Sequence, residues 1–187
     1  METIIDLPWG HFYFSDPFFM EHAHEYEKEL WDHIAISEDG NAVDIGAHQG
    51  FYTIKLAREA GLEHGTVFAF EPNPENREIL KQNLALNRLA AVLPNYALSD
   101  YVGEGILFTY PKEASVKNFL RGTTQHEPFY TEFMEGKPSI TPPHFETKIQ
   151  VTTLDHYLLN SAWNNLLHRL DLIKIDTEGA ELRILKG

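Results

Sequence analysis

The sequence predicts an α/β fold, an open and mostly parallel sheet with flanking helices. Short apolar runs of strand length recur at 41–46, 66–70 and 172–176, and continuous apolar runs mark strands buried on both faces, as in parallel sheets. Stretches with helical periodicity follow the first two runs. The first run ends in a glycine turn, where such sheets place a ligand.

Taken in order, 18–35 reads as an amphipathic helix, because Tyr26, Leu30 and Ile34 recur every fourth residue with Trp31 beside them. It belongs to an N-terminal helical segment, 1–40, expected to pack on a domain spanning 41–187. Ser37 to Gly40 breaks that helix. After the strand at 41–46, residues 50–60 form a helix with Phe51, Ile54 and Ala57 on one face. The strand at 66–70 leads to Asn73-Pro74, a cap followed by proline at the first helical position. That helix runs to about Asn87, with Ile79, Leu80, Leu84 and Leu86 as its apolar residues.

Residues 91–98 read as a third strand, which Pro94 pushes to an edge or a late start. A short strand is expected at 105–110. From 111 to 146 the chain turns rich in proline, aromatic and polar residues, and a connection of roughly 35 residues is unusually long. It is read as a long insertion loop. The pattern then predicts a strand at 147–153, a helix over 154–170, the strand at 172–176 and a helix from 179 to 186.

Composition narrows the function. The 187 residues carry 15 basic and 28 acidic side chains, for a formal charge of −13. A field of that sign repels phosphate backbones and anionic lipid, so nucleic acid and membrane are not the expected partners. A small molecule is. There is no cysteine, hence no disulfide framework and no thiolate metal site. The ten histidines are scattered, and no spacing demands a metal. With no run of about 20 apolar residues and no signal-like start, the chain reads as soluble and cytoplasmic.

The strongest motif is Val43-Asp44-Ile45-Gly46-Ala47-His48-Gln49-Gly50. Glycines after a strand allow a tight turn and close approach of backbone to ligand. Asp44 lies two residues before the first glycine, where it would repel a pyrophosphate and attract an ammonium. A strand-end aspartate capping an ordinary turn is the plainer reading. Glu71 ends the second strand, 21 residues after Gly50, where an acid can accept hydrogen bonds from both ribose hydroxyls. Capping the helix at Pro74 is its alternative role. Ser99 and Asp100 follow the third strand, where a polar side chain can meet an adenine amino group or merely form a turn. Asp176 ends the strand at 172–176 and should face the same crevice as Asp44 and Glu71.

These residues together resemble the FkbM family of methyltransferases. The matching pieces are VDIGAHQGFYTIKLA (43–57), FAFEPNPENREILKQNLALN (68–87), YALSD (96–100), VTTLDHYL (151–158) and DLIKIDTEGAELRILKG (171–187). The resemblance implies a Rossmann-like class I methyltransferase fold, S-adenosylmethionine as donor and a hydroxyl of a small molecule or glycan as acceptor. Carried over by position, Asp44, Gly46, Ala47, His48, Gly50, Glu71, Ser99 and Asp100 would bind the donor. His48 stands where the family often has asparagine. Asp176 would lie at the methyl-transfer edge as the candidate catalytic base.

Against that fold the chain looks truncated after its fourth core strand, leaving 172–176 with an unpaired apolar edge. A fragment boundary, a covering partner or oligomer, or a genuine loss of the second half would each account for it. Two other functions remain in view. One is a non-catalytic donor-binding or interaction module. The other is a nicotinamide-dependent oxidoreductase, opposed by Asp44 and by GAHQG, which lacks the third glycine of the dinucleotide fingerprint.

Overall fold

The structure, a computed structural model, describes residues 4–15, 17–61, 65–109, 119–122, 145–165, 169–177 and 179–187. In chain order the strands are β1 (Ile4–Leu7), β2 (Gly10–Tyr13), β3 (Ala42–Ile45), β4 (Val67–Phe70), β5 (Ala97–Leu98), β6 (Gly103–Thr109), β7 (Phe119–Gly122), β8 (Phe145–Thr152) and β9 (Leu172–Ile175). The helices are α1 (Pro17–His22), α2 (Phe51–Ala60), α3 (Pro74–Leu86), α4 (Leu154–Leu159) and α5 (Glu181–Ile184). They divide into two units, Met1–Asn95 with Ser161–Asp176, and Tyr96–Asn160 with Thr177–Gly187.

The first unit holds a parallel sheet in the order β4-β3-β9. All four residues of β3 and of β4 are buried, as the apolar runs predict for strands covered on both faces. A single parallel bridge from Val92 to Phe68 continues the sheet beyond β4. Only that bridge represents the strand expected over 91–98 in this unit. Pro94 cannot donate to a ladder, and the carbonyls of Leu93 and Pro94 instead accept from the Arg77 guanidinium. The α/β architecture is the predicted one.

The N-terminal segment differs from expectation. It opens with an antiparallel hairpin, β1 on β2, with Leu7 opposite Gly10. Asn83 of α3 and Asn87 at its C-cap bond the β2 side of the hairpin as a further strand would. Asn83 accepts from the Tyr13 N–H at 2.7 Å and donates to the Tyr13 carbonyl at 3.0 Å. One turn later, Asn87 makes the same pair of bonds with His11. The helix expected over 18–35 is reduced to α1, followed by turns and one 3₁₀ turn at Lys28–Leu30. Aromatic packing accounts for the difference. Trp31 donates its indole N–H to the Tyr26 carbonyl at 2.9 Å, the acceptor that Leu30 would use in a continuous helix. Phe19 and Tyr26 turn onto Phe51 of α2, at ring distances of 5.6 and 5.4 Å.

The second unit holds a mixed sheet in the order β5-β8-β6-β7, with β5 parallel to β8 and the other pairs antiparallel. β6 and β8 are the strands expected near 105–110 and 147–153. β7 falls within the predicted 111–146 loop; most of that segment lies outside the described residues. The helix expected over 154–170 stops at Leu159, where the backbone N–H and the side-chain amide of Asn160 both donate to the His156 carbonyl, at 3.1 and 2.9 Å. Among the described residues, no helix is long and apolar enough to cross a membrane.

Candidate functional site

The carboxyl ends of β3, β4 and β9 bring together the residues singled out in the first unit. Gly46, His48 and Gly50 all have positive φ, at 77°, 50° and 94°. This alternation carries the chain from β3 into α2 in a tight loop. Glycine suits two of the three positions, and His48 accepts the left-handed conformation at some cost. The amides of Gly46 and Ala47 both donate to the Phe70 carbonyl, at 3.0 and 3.1 Å, which ties the loop to the end of β4. A Cβ at Gly50 would come within 2.5 Å of Leu80 Cδ1, so the loop also lies close against α3.

Glu71 completes that attachment. One carboxylate oxygen accepts from the His48 amide and the other from the Asn73 amide, each at 2.8 Å. The side chain therefore does more than cap α3, whose cap is the Asn73 side chain accepting from the Glu75 amide. Burial pushes the Glu71 pKa up to about 7, with the two amides, the Lys174 charge and Asn76 pulling the other way.

Asp44 is 0% exposed. Thr53 Oγ1 donates to its Oδ2 at 2.6 Å, and Oδ1 faces Lys174 Nζ at 3.1 Å. Lys174 is the site residue that reading the sequence passed over. It lies opposite Asp44 in the β3–β9 register, donates to the Gly46 carbonyl at 3.1 Å, and stands 3.9 Å from Asp176 Oδ2. Its ammonium also sits over the Tyr52 ring, 5.5 Å from the centroid. Burial would lower its pKa, but the charges of Asp44, Asp176 and Glu27 outweigh that and hold it above the usual lysine value. The signal was available: a lysine inside an apolar parallel strand needs an anionic partner, and the facing strand offers Asp44.

Asp176 is 44% exposed, the most open of the three acids, and its amide donates to the Ile45 carbonyl at 3.0 Å. Beside it, Tyr52 donates its hydroxyl to Glu27 Oε2 at 2.6 Å, and burial with that carboxylate drives the phenol pKa far up. Glu27 itself sits in the left-handed region, at φ 47°. The structure thus joins Asp44, the 46–50 loop, Glu71 and Asp176 in one constellation and adds Lys174, Tyr52 and Glu27 to it. Ser99 and Asp100 belong to the second unit. There Ser99 is buried, its amide donates to the Thr152 carbonyl at 3.0 Å, and its hydroxyl donates to Asp100 Oδ1 at 3.2 Å.

A family model described as the Methyltransferase FkbM domain matches residues 44–187. The chain belongs to the FkbM methyltransferase family. Its fold is accordingly the Rossmann-like α/β fold of methyltransferases, with the β4-β3-β9 strands as the parallel sheet. Two curated relatives are fungal. Methyltransferase sdnD of Sordaria araneosa is 29% identical over 78% of this chain and 59% of its own length. Methyltransferase 1 of Beauveria bassiana (strain ARSEF 2860) is 25% identical over 89% of this chain and 65% of its own. This FkbM chain thus spans about three-fifths of the length of the curated relatives it matches. Among solved structures, Methyltransferase FkbM from Methylobacillus flagellatus KT is 15% identical, with a TM-score of 0.39 over 90% of this chain and 37% of that one.

The donor that the family implies can be tested against this site. Glu71 is an acid at the end of β4 that can accept from a diol, and the loop carries no side chain at Gly46. Asp44 Oδ1, though paired in charge with Lys174, has no aligned hydrogen bond. The acid at the end of β4 and the glycine turn fit a ribose-bearing ligand, while the Asp44 charge is already matched by Lys174.

Proposed function

We propose that this chain is the donor-binding part of an S-adenosylmethionine-dependent methyltransferase that methylates a hydroxyl of a small molecule or glycan. The observation that carries the proposal is the joining of Asp44, the 46–50 loop, Glu71 and Asp176 at adjacent strand ends within a chain of this family. Glu71 would take the ribose hydroxyls. The 46–50 loop would pass beneath the donor, with Gly46, Ala47, His48 and Gly50 presenting backbone where side chains would obstruct it.

When bound, S-adenosylmethionine supplies a methyl group already activated on a sulfonium. What the protein must add is alignment, exclusion of water and removal of the acceptor's proton. Asp176, the most open of the three acids, is the residue we assign to take that proton as the acceptor oxygen gains the methyl group.

Calorimetric titration with S-adenosylhomocysteine and with NADH tests this reading. Saturable binding of the homocysteine compound alone supports it. Binding of NADH alone overturns it in favour of a dinucleotide enzyme. Feeding labelled donor and cell extract to the protein then tests for methyl transfer; a donor-binding protein that methylates nothing would be the non-catalytic module.

A further inference from the structure

Resting on the donor reading above, we propose that Lys174 is the specificity residue for the amino-acid end of the donor, its ammonium receiving the donor's α-carboxylate. Lys174 sits at the carboxyl end of β9, beside the end of β3, the edge beyond which open α/β sheets bind ligands. An ammonium has three N–H donors. The Gly46 carbonyl takes one, at 3.1 Å. Asp44 Oδ1 lies at 3.1 Å without an aligned hydrogen bond, and Asp176 at 3.9 Å is beyond hydrogen-bond reach. Donor capacity therefore remains.

The two members of the pair have different access. Asp44 is sealed at 0% exposure, whereas the Lys174 side chain keeps 13%. A ligand arriving at this edge meets the cation beside the more open Asp176 carboxylate, with Asp44 behind it as a fixed counter-charge; an α-amino acid end carries an ammonium for Asp176 as well as a carboxylate for Lys174. Asp44, itself fixed by Thr53, and the Gly46 carbonyl hold the ammonium in place, so little ordering remains to be done when an anion binds. The chemical class that fits is an α-amino acid carboxylate attached to a nucleoside, which distinguishes the donor from nucleosides lacking that end.

The experiment compares S-adenosylhomocysteine with 5′-deoxy-5′-methylthioadenosine, which keeps the nucleoside and lacks the amino-acid end. Lys174→Met is expected to weaken the first by roughly ten- to a hundredfold, the effect of losing a charge-assisted hydrogen bond, and to leave the second unchanged. Lys174→Arg should recover most of the loss. If Lys174→Met unfolds the chain, the double variant Asp44→Asn with Lys174→Met removes both charges and carries the same expectation. Equal weakening of both ligands, or undiminished binding of S-adenosylhomocysteine, overturns the proposal. Failure of the unaltered protein to bind S-adenosylhomocysteine overturns the donor reading itself, and this proposal with it.

Discussion

Asp44 and Lys174 face each other across adjacent parallel strands, and their charges meet at 3.1 Å with the carboxylate wholly enclosed. A pair so placed is costly to break from one side. Lys174→Met leaves a buried carboxylate without its counter-ion, which should cost about 3–5 kcal/mol, while the double variant Asp44→Asn with Lys174→Met loses much less. Denaturant unfolding of the two single variants and the double gives the coupling energy directly. Additive effects would mean that the two charges do not depend on each other.

Glu71 should make the protein pH-sensitive. Its pKa is raised to about 7 by burial, so the folded state binds a proton more tightly than the unfolded chain does. By linkage, this group's contribution is fully present below the unfolded carboxylate value and lost as pH rises towards 7. The total change is on the order of 3 kcal/mol. Glu71→Gln should flatten the fall in melting temperature between about pH 4.5 and pH 7. An unaltered slope in that variant would assign the pH dependence to other groups.

Gly50→Ala tests the loop. The position combines φ 94° with a Cβ path ending 2.5 Å from Leu80 Cδ1. Leu80 can adjust its side chain, but the backbone conformation stays unfavourable for alanine. A loss of about 1–3 kcal/mol is expected in chemical denaturation. Trimming Leu80 should not restore it.

The N-terminal hairpin depends on α3. Asn83 bonds both the N–H and the carbonyl of Tyr13, and its amide also reaches the Gln49 carbonyl at 2.8 Å. Asn83→Ala should speed exchange of the Tyr13 amide by at least about tenfold, since one neutral hydrogen bond is worth roughly 1 kcal/mol and three are lost. Amides in β3 should be affected less. Exchange unchanged at Tyr13 would mean that the Asn87 bonds to His11 and the packing of Phe12 hold the hairpin without Asn83.

The parallel sheet was legible because its signal is local. Each strand is a short, largely apolar run with an acid at or just beyond its carboxyl end, so Asp44, Glu71 and Asp176 could be placed at a common edge from spacing alone. Lys174 was not legible by the same route. Its importance comes from the register between β3 and β9, which brings together residues 130 apart in number and has no local signature. The hairpin escaped for a related reason. Asn83 and Asn87 read as ordinary helix-surface amides until the edge of β2 lies against them. The 18–35 helix was over-read because every-fourth-residue spacing also suits aromatics that fold back onto one ring, here Phe51.

Asp176 carries the last prediction. It is the site's most exposed acid and stands 3.9 Å from the cation that pairs with Asp44, so its charge is partly balanced without being enclosed. Replacing it with asparagine keeps the shape and removes the proton acceptor. If Asp176 serves the acceptor, as assigned, methyl transfer from labelled donor into extract should fall by about 10²- to 10⁴-fold, the usual contribution of a general base. Affinity for S-adenosylhomocysteine should change less than about fivefold, because an exposed carboxylate in high dielectric contributes about 1 kcal/mol or less to an ion pair. A parallel loss of both would place Asp176 in the donor site. Full activity in the Asp176→Asn variant would return the role of base to another group at this edge, with Glu27, held by Tyr52, the carboxylate next in place to fill it.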